Sequence, residues 1–352
     1  MKPQAWIYST VSDGIFIIAP PFVSLAIIFL FPSLFQNGEG MSTISWVVLV
    51  LMIDVAHVYS TLFRTYLDRQ EFAAQRSLFV GIPLISFVVA VLLYAIEPMY
   101  FWRVLAYLAV FHFIRQQYGF MRIYSRKENQ QRAGQTIDTI TIYAATLYPI
   151  VYWHMSSPRN FNWFIEGDFY TVTAAGATGY VSLLYLFVLA VYMVKELRFM
   201  KRTKYFNIPR NLLILGTALS WFVGIVYLNG DLSFTLLNVV SHGIPYMFLI
   251  WVYGKKKSEQ EAAPKDGVQR TIYSRFGWLF FILIILGFAY FEEGLWDVLV
   301  WREHVSVFPV LKWLPAMGEQ TLLTLIVPLL SLPQITHYII DGYIWKLRKE
   351  RS

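Results

Sequence analysis

Long apolar runs alternate along this chain with short stretches that hold nearly all of its charge. A helix needs about 20 apolar residues to cross a hydrocarbon core of about 30 Å. Runs near that length fall at 15–35, 42–62, 78–97, 101–121, 139–155, 176–194, 211–229, 233–254, 276–290 and 320–344. Only helices and closed barrels satisfy their backbone polar groups in lipid, and apolar runs of this length are helical in kind. The pattern therefore predicts an all-α fold: a polytopic transmembrane helical bundle of about ten spans, forming one integral-membrane domain over 1–352. The first run keeps Lys2 ahead of it, shows no small-residue cleavage pattern and is interrupted at Pro20-Pro21, so it reads as a retained span. The runs at 139–155 and 276–290 are short and predict tilted or shallow segments. Gly243 and Pro245 weaken the run 233–254, which predicts a kink that opens a cavity.

Composition agrees with the pattern. The chain is 57% hydrophobic and 14% charged, where soluble proteins carry about 25% charge. With no cysteine, disulfides, thiolate metal sites and a cysteine nucleophile are excluded, so any metal must be held by His, Asp or Glu. The net charge of +7 has a topological explanation. Ten spans put the amino terminus, the loops near 63–77, 122–138, 195–210 and 255–275, and the tail from Lys346 on one side, with outer loops near 155–175 and 291–319 on the other. Lys and Arg then divide 24 to 4 between the sides. The positive-inside rule predicts both termini in the cytoplasm of a bacterial-type inner membrane. No nucleic-acid motif accompanies the basic loops, so no nucleic-acid partner is expected. The segment 291–319, rich in Trp, Glu and Pro, reads as an outer loop able to form a short interfacial helix.

Three charged residues remain inside the expected spans: Asp54, Arg115 and Asp341. Intramembrane ionisable groups are costly and mark functional sites by default. Four histidines, His57, His112, His242 and His337, lie on four different spans running in the same direction. Counted to the next basic flank, they sit about 10, 15, 20 and 14 Å from the cytoplasmic edge. His154 and His304 do not share that depth. Asp54 precedes His57 by three residues and Asp341 follows His337 by four, so each pair shares a helix face. A ligating imidazole commonly gives its other N–H to a carboxylate. The spacing thus points to a metal held by His57, His112, His242 and His337. Asp54 and Asp341 would orient imidazoles, and Arg115, three residues beyond His112, would balance charge or hold a carboxylate or polar head group. Tyr246 and Tyr338 are candidates for lining a substrate pocket.

An all-histidine set suits iron, zinc or copper better than magnesium or calcium. Ferrous iron in dry, aromatic surroundings suits dioxygen chemistry on a lipid-soluble substrate drawn from the membrane lipids. Two other readings use some of the same residues. In one, His242 is a general base with Asn238 one turn away; in the other, the Asp and His groups form a proton or ion relay in a transporter.

The clustered His boxes of membrane desaturases and hydroxylases do not occur. One histidine per helix, in Asp54-Val-Ala-His57, Phe111-His112-Phe113, Ser241-His242-Gly243 and Thr336-His337-Tyr338-Ile339-Ile340-Asp341, instead resembles the bacterial Brp/Blh family of membrane β-carotene 15,15′-dioxygenases. The resemblance implies iron bound by these four histidines and oxidative action on a carotenoid-like substrate. It extends over roughly forty residues. Ala56 and Val58 stand where that family has Pro and Gly beside its first histidine. The segment from Ser241 to Trp251 is also similar to the His-Gly segment of membrane-bound O-acyltransferases, which implies the general-base role for His242.

Overall fold

A computed structural model describes residues 4–36, 40–128, 130–172, 174–260, 271–274 and 276–345. Lys2, most of the basic loop 255–275 and the tail from Lys346 fall outside them. Among the described residues there is no strand. Among the described residues, eight helices are long and apolar enough to cross a membrane: α1 Thr10–Leu30, α2 Thr43–Arg64, α3 Arg76–Ile96, α6 Gly176–Thr203, α7 Ile208–Tyr227, α8 Asp231–Gln260, α9 Gly277–Trp301 and α10 Gln320–Ile344. Two more, α4 Pro98–Ser125 and α5 Arg132–Met155, have the length with 28 and 24 residues but are less apolar. All ten expected spans thus lie on helices, and the one expected over 139–155 was short only because its polar first turns had been counted as loop.

The chain divides into two compact units, each built from two separated stretches. Residues 1–41 and 113–245 form the first, residues 42–112 and 246–352 the second. Two of the divisions fall inside α4 and α8, where no break in composition marks them.

In the first unit, α5 packs against α6 and α7, and α7 packs on α1. A Cβ added at Gly216 of α7 would lie 2.7 Å from Pro21 of α1, so the lack of a side chain sets how closely these helices approach. Helix α7 begins with Asn207 as its cap, whose Oδ1 accepts the Arg210 N–H at 3.1 Å, followed by Pro209 in the first turn. Arg210 is fully buried. Its guanidinium donates to Glu128 at 2.6 Å and to Asp138 at 3.1 Å and forms an ion pair with Glu196, while Lys195 binds Asp138 and Glu196. Burial pushes the Glu128 carboxyl above its usual range, and Arg210 pulls it back down. By the sequence pattern these five residues belong to the loops 122–138 and 195–210. The structure corrects that: α5 and α6 reach further than their apolar runs, and the ends of four elements meet over one ion network.

In the second unit, α9 packs on α2, and α10 packs on α3 and α2. The core gathers Leu51, Val55, Phe63, Tyr246, Ile250 and Phe281. Helix α9 runs to Trp301, so 276–290 is not a short span and 291–301 is not loop. Glu292, Glu293 and Asp297, expected in the outer loop, therefore belong to a candidate span. Glu292 is buried and accepts the Tyr59 hydroxyl at 2.5 Å. The intramembrane charges are accordingly more than the three expected. Beyond Trp301 the connection is irregular, with a short 3₁₀ turn at Pro309–Leu311 in place of an interfacial α-helix.

Candidate metal centre

Helix α2 carries a wide π segment over Val47–Val55 that returns to α geometry at Ala56–Ser60. Such segments cost regular hydrogen bonding and collect at functional sites. Here the transition delivers His57 and, one turn on, Thr61. Helix α4 supplies His112 and α10 supplies His337. Within the second unit these three histidines each offer a ring nitrogen within 4.8 Å of the others, and all are nearly solvent-free at 1%, 2% and 2% exposure.

The closest approach joins His112 Nε2 and His337 Nε2, at 3.0 Å. Each ring is also held from its other nitrogen. His112 Nδ1 faces the Asp341 carboxylate at 3.5 Å, and His337 Nδ1 meets Thr61 Oγ1 at 2.6 Å. A carboxylate only accepts, so it favours the proton on His112 Nδ1 and leaves Nε2 as a lone pair. His337 Nε2 faces that lone pair, either donating its proton to it or joining it on a shared cation. Donors bound to one metal at about 2.0–2.1 Å are themselves separated by about 3.0–3.4 Å, close to what is observed.

Asp341 also accepts Trp345 Nε1–H at 2.6 Å, which fixes the carboxylate that faces His112. The expected partnership of Asp341 with His337, four residues earlier, is replaced by one with a histidine of another helix. Asp54 stands 3.6 Å from His57 Nδ1 and is 37% exposed, a looser relation than equal helix faces imply. The π geometry ending at Val55 shifts the angular spacing between these two residues.

Tyr246 is buried with its ring 5.0 Å from His337, 5.9 Å from His57 and 6.3 Å from His112, and its hydroxyl lies 3.0 Å from Thr61 Oγ1. Tyr338 lies 5.0 Å from the His112 ring. Both tyrosines therefore border the histidines. Thr61 was not among the expected residues: a threonine one turn beyond a histidine carries no chemical signal until another helix brings His337 to it.

His242 is buried in the first unit, its ring stacked on Phe113 at 3.6 Å and its carbonyl accepting from Gln116 at 2.9 Å. It precedes Tyr246 by one turn on the unbroken helix α8. With His57, His112 and His337 it makes four buried histidines that could hold a metal ion. The cavity beside Pro245, lined by Gln117, Thr217 and Ser241, measures only about 10 Å³, so the expected opening at this proline is no larger than one water. Arg115 does not take the expected place. It is exposed, donates to the Tyr143 hydroxyl at 2.8 Å and lies over the Tyr118 ring. His154 bonds the Ile150 carbonyl and stacks on Phe169, and His304 stacks on Trp46, so neither joins the group.

No protein-family model, curated protein or solved structure matches this chain.

Proposed function

We propose that the chain is an integral-membrane metalloenzyme in which His57, His112, His242 and His337 bind one ferrous ion and a lipid-soluble substrate is oxidised by dioxygen. The observation that supports this reading most is the approach of His112 Nε2 to His337 Nε2, with Asp341 and Thr61 holding the opposite nitrogens. That arrangement disposes both rings to present lone pairs to a shared cation. Bound there, ferrous iron would supply a redox-active centre able to take up dioxygen.

The remaining chemistry belongs to the chain. Asp341, steadied by Trp345, keeps the His112 tautomer that can ligate. Thr61 bridges His337 and the Tyr246 hydroxyl, so a proton at Tyr246 Oη has a hydrogen-bonded neighbour within the site. Tyr246 shares its apolar cluster with Val55, Ile250 and Phe281, surroundings that favour an apolar substrate and keep water out. The resemblance to the Brp/Blh dioxygenases supports a carotenoid-like polyene as that substrate. The division of basic residues, 24 to 4, supports an inner-membrane protein with both termini in the cytoplasm.

Elemental analysis of the protein purified in lipid nanodiscs tests the reading. One iron per chain is expected, with its loss in His112→Ala and His337→Ala. Purified chains that hold no metal and take up none when iron, zinc or copper is supplied would remove the metalloenzyme reading. Oxygen uptake with β-carotene, followed for retinal as product, tests the substrate class separately.

A further inference from the structure

The first unit contains an open groove of about 550 Å³ between the amino-terminal end of α5 and the carboxy-terminal half of α6. That volume lies within the range of about 300–1,000 Å³ typical of small-molecule sites. Its wall along α6 follows one helical face. Phe187, Val191 and Val194 supply apolar surface, and the same face continues one turn on with Arg198 and then Arg202. Ile137 closes the apolar part from α5.

The charge of this face is positive where it is uncommitted. The nearby acids Glu128, Asp138 and Glu196 are each held by Arg210 or Lys195. Lys195, although it lines the groove, is taken by Asp138 and Glu196. Arg198 and Arg202 are exposed and enter no ion pair with a described residue. An apolar trough that ends in two adjacent guanidinium groups matches an amphiphile with one anionic end. Only 11% of the apolar window of α6 is buried, so the trough opens along a helix whose sides are available to lipid.

We infer that this groove binds an anionic phospholipid, with the phosphate at Arg198 and Arg202 and an acyl chain along Phe187, Val191 and Val194. Arginine forks suit phosphate oxygens, and basic sites between membrane helices select acidic head groups. The site is separate from the histidine group and does not rest on the metalloenzyme reading.

The test uses the full chain, extracted in mild detergent and offered phosphatidylglycerol and phosphatidylcholine of identical acyl composition, with retained lipid counted by native mass spectrometry. Phosphatidylglycerol is expected to be preferred, and the preference to fall about fivefold for Arg198→Gln or Arg202→Gln and about thirtyfold for both. These side chains are exposed and bear no part of the buried ion network, so folding is retained. Ala190→Phe, which fills the apolar part of the groove while leaving the charges, is expected to lower retention of phosphatidylglycerol. Equal retention of the two lipids, an unchanged preference in the double variant, or displacement by inorganic phosphate alone would overturn the assignment.

Discussion

His112 and His337, 225 residues apart in sequence, bring their Nε2 atoms to 3.0 Å, while Asp341 faces the far nitrogen of the first and Thr61 that of the second. At this distance the two nitrogens either share a hydrogen bond or face a common cation. Metal binding at these histidines distinguishes the two, and the first three predictions test it.

Asp341→Asn keeps an oxygen for Trp345 Nε1–H but removes the charge that holds the proton on His112 Nδ1. Metal affinity is expected to fall about 10- to 100-fold, with thermal unfolding little changed. Competition with a chelator of known affinity measures it. Wild-type affinity in this variant would show that Asp341 serves packing alone.

Thr61→Val is nearly the same in shape and lacks the hydroxyl that joins His337 Nδ1 to Tyr246. Metal affinity is expected to drop roughly tenfold. Tyr246→Phe should cost less, because Thr61 can still hold His337. A double variant no weaker than Thr61→Val would establish that the tyrosine acts on the metal through the threonine.

His242→Ala separates a three-histidine from a four-histidine centre. Loss of metal comparable with that of His337→Ala is expected if α8 supplies a ligand. Full retention of iron in His242→Ala would leave His57, His112 and His337 as the complete set.

Arg210→Met leaves Glu128, Asp138 and Glu196 in a buried place without their shared cation. Breaking a buried pair from one side costs about 3–5 kcal/mol, so a large fall in the unfolding midpoint is expected. Adding Glu196→Gln should recover part of it. A midpoint equal to wild type would mean that water reaches the network freely.

Gly216→Ala forces a methyl group to within 2.7 Å of the Pro21 ring. Helices α1 and α7 must separate or strain, at a cost of about 1–3 kcal/mol. Gly14→Ala, where a Cβ would meet nothing within 4 Å, serves as the neutral comparison in the same unfolding assay.

Hydrophobic periods along the chain were enough to place ten helices, because a bilayer demands continuous apolar length and continuous hydrogen bonding from each crossing element. Counting charge located His57, His112, His242 and His337 as exceptional for the same reason. The count failed where helices outrun their apolar segments. Glu292 and the network around Arg210 were assigned to loops, since a polar turn at a helix end and a polar loop look alike until neighbouring helices bury one of them. Arg115 failed differently: three residues beyond His112, it was expected beside the site, yet its guanidinium bonds Tyr143.

Sequence by itself thus determined the class of fold, the helical segments and the set of histidines, because each depends on free energies of transfer read one segment at a time. Tertiary structure decided the partners: His112 with Asp341, His337 with Thr61, and Arg210 with three acids from three segments. Those choices depend on which helices pack together and at what rotation. A shift of one residue turns a helix by about 100° and moves a side chain to a different neighbour, and no count along a single strand of sequence contains that angle.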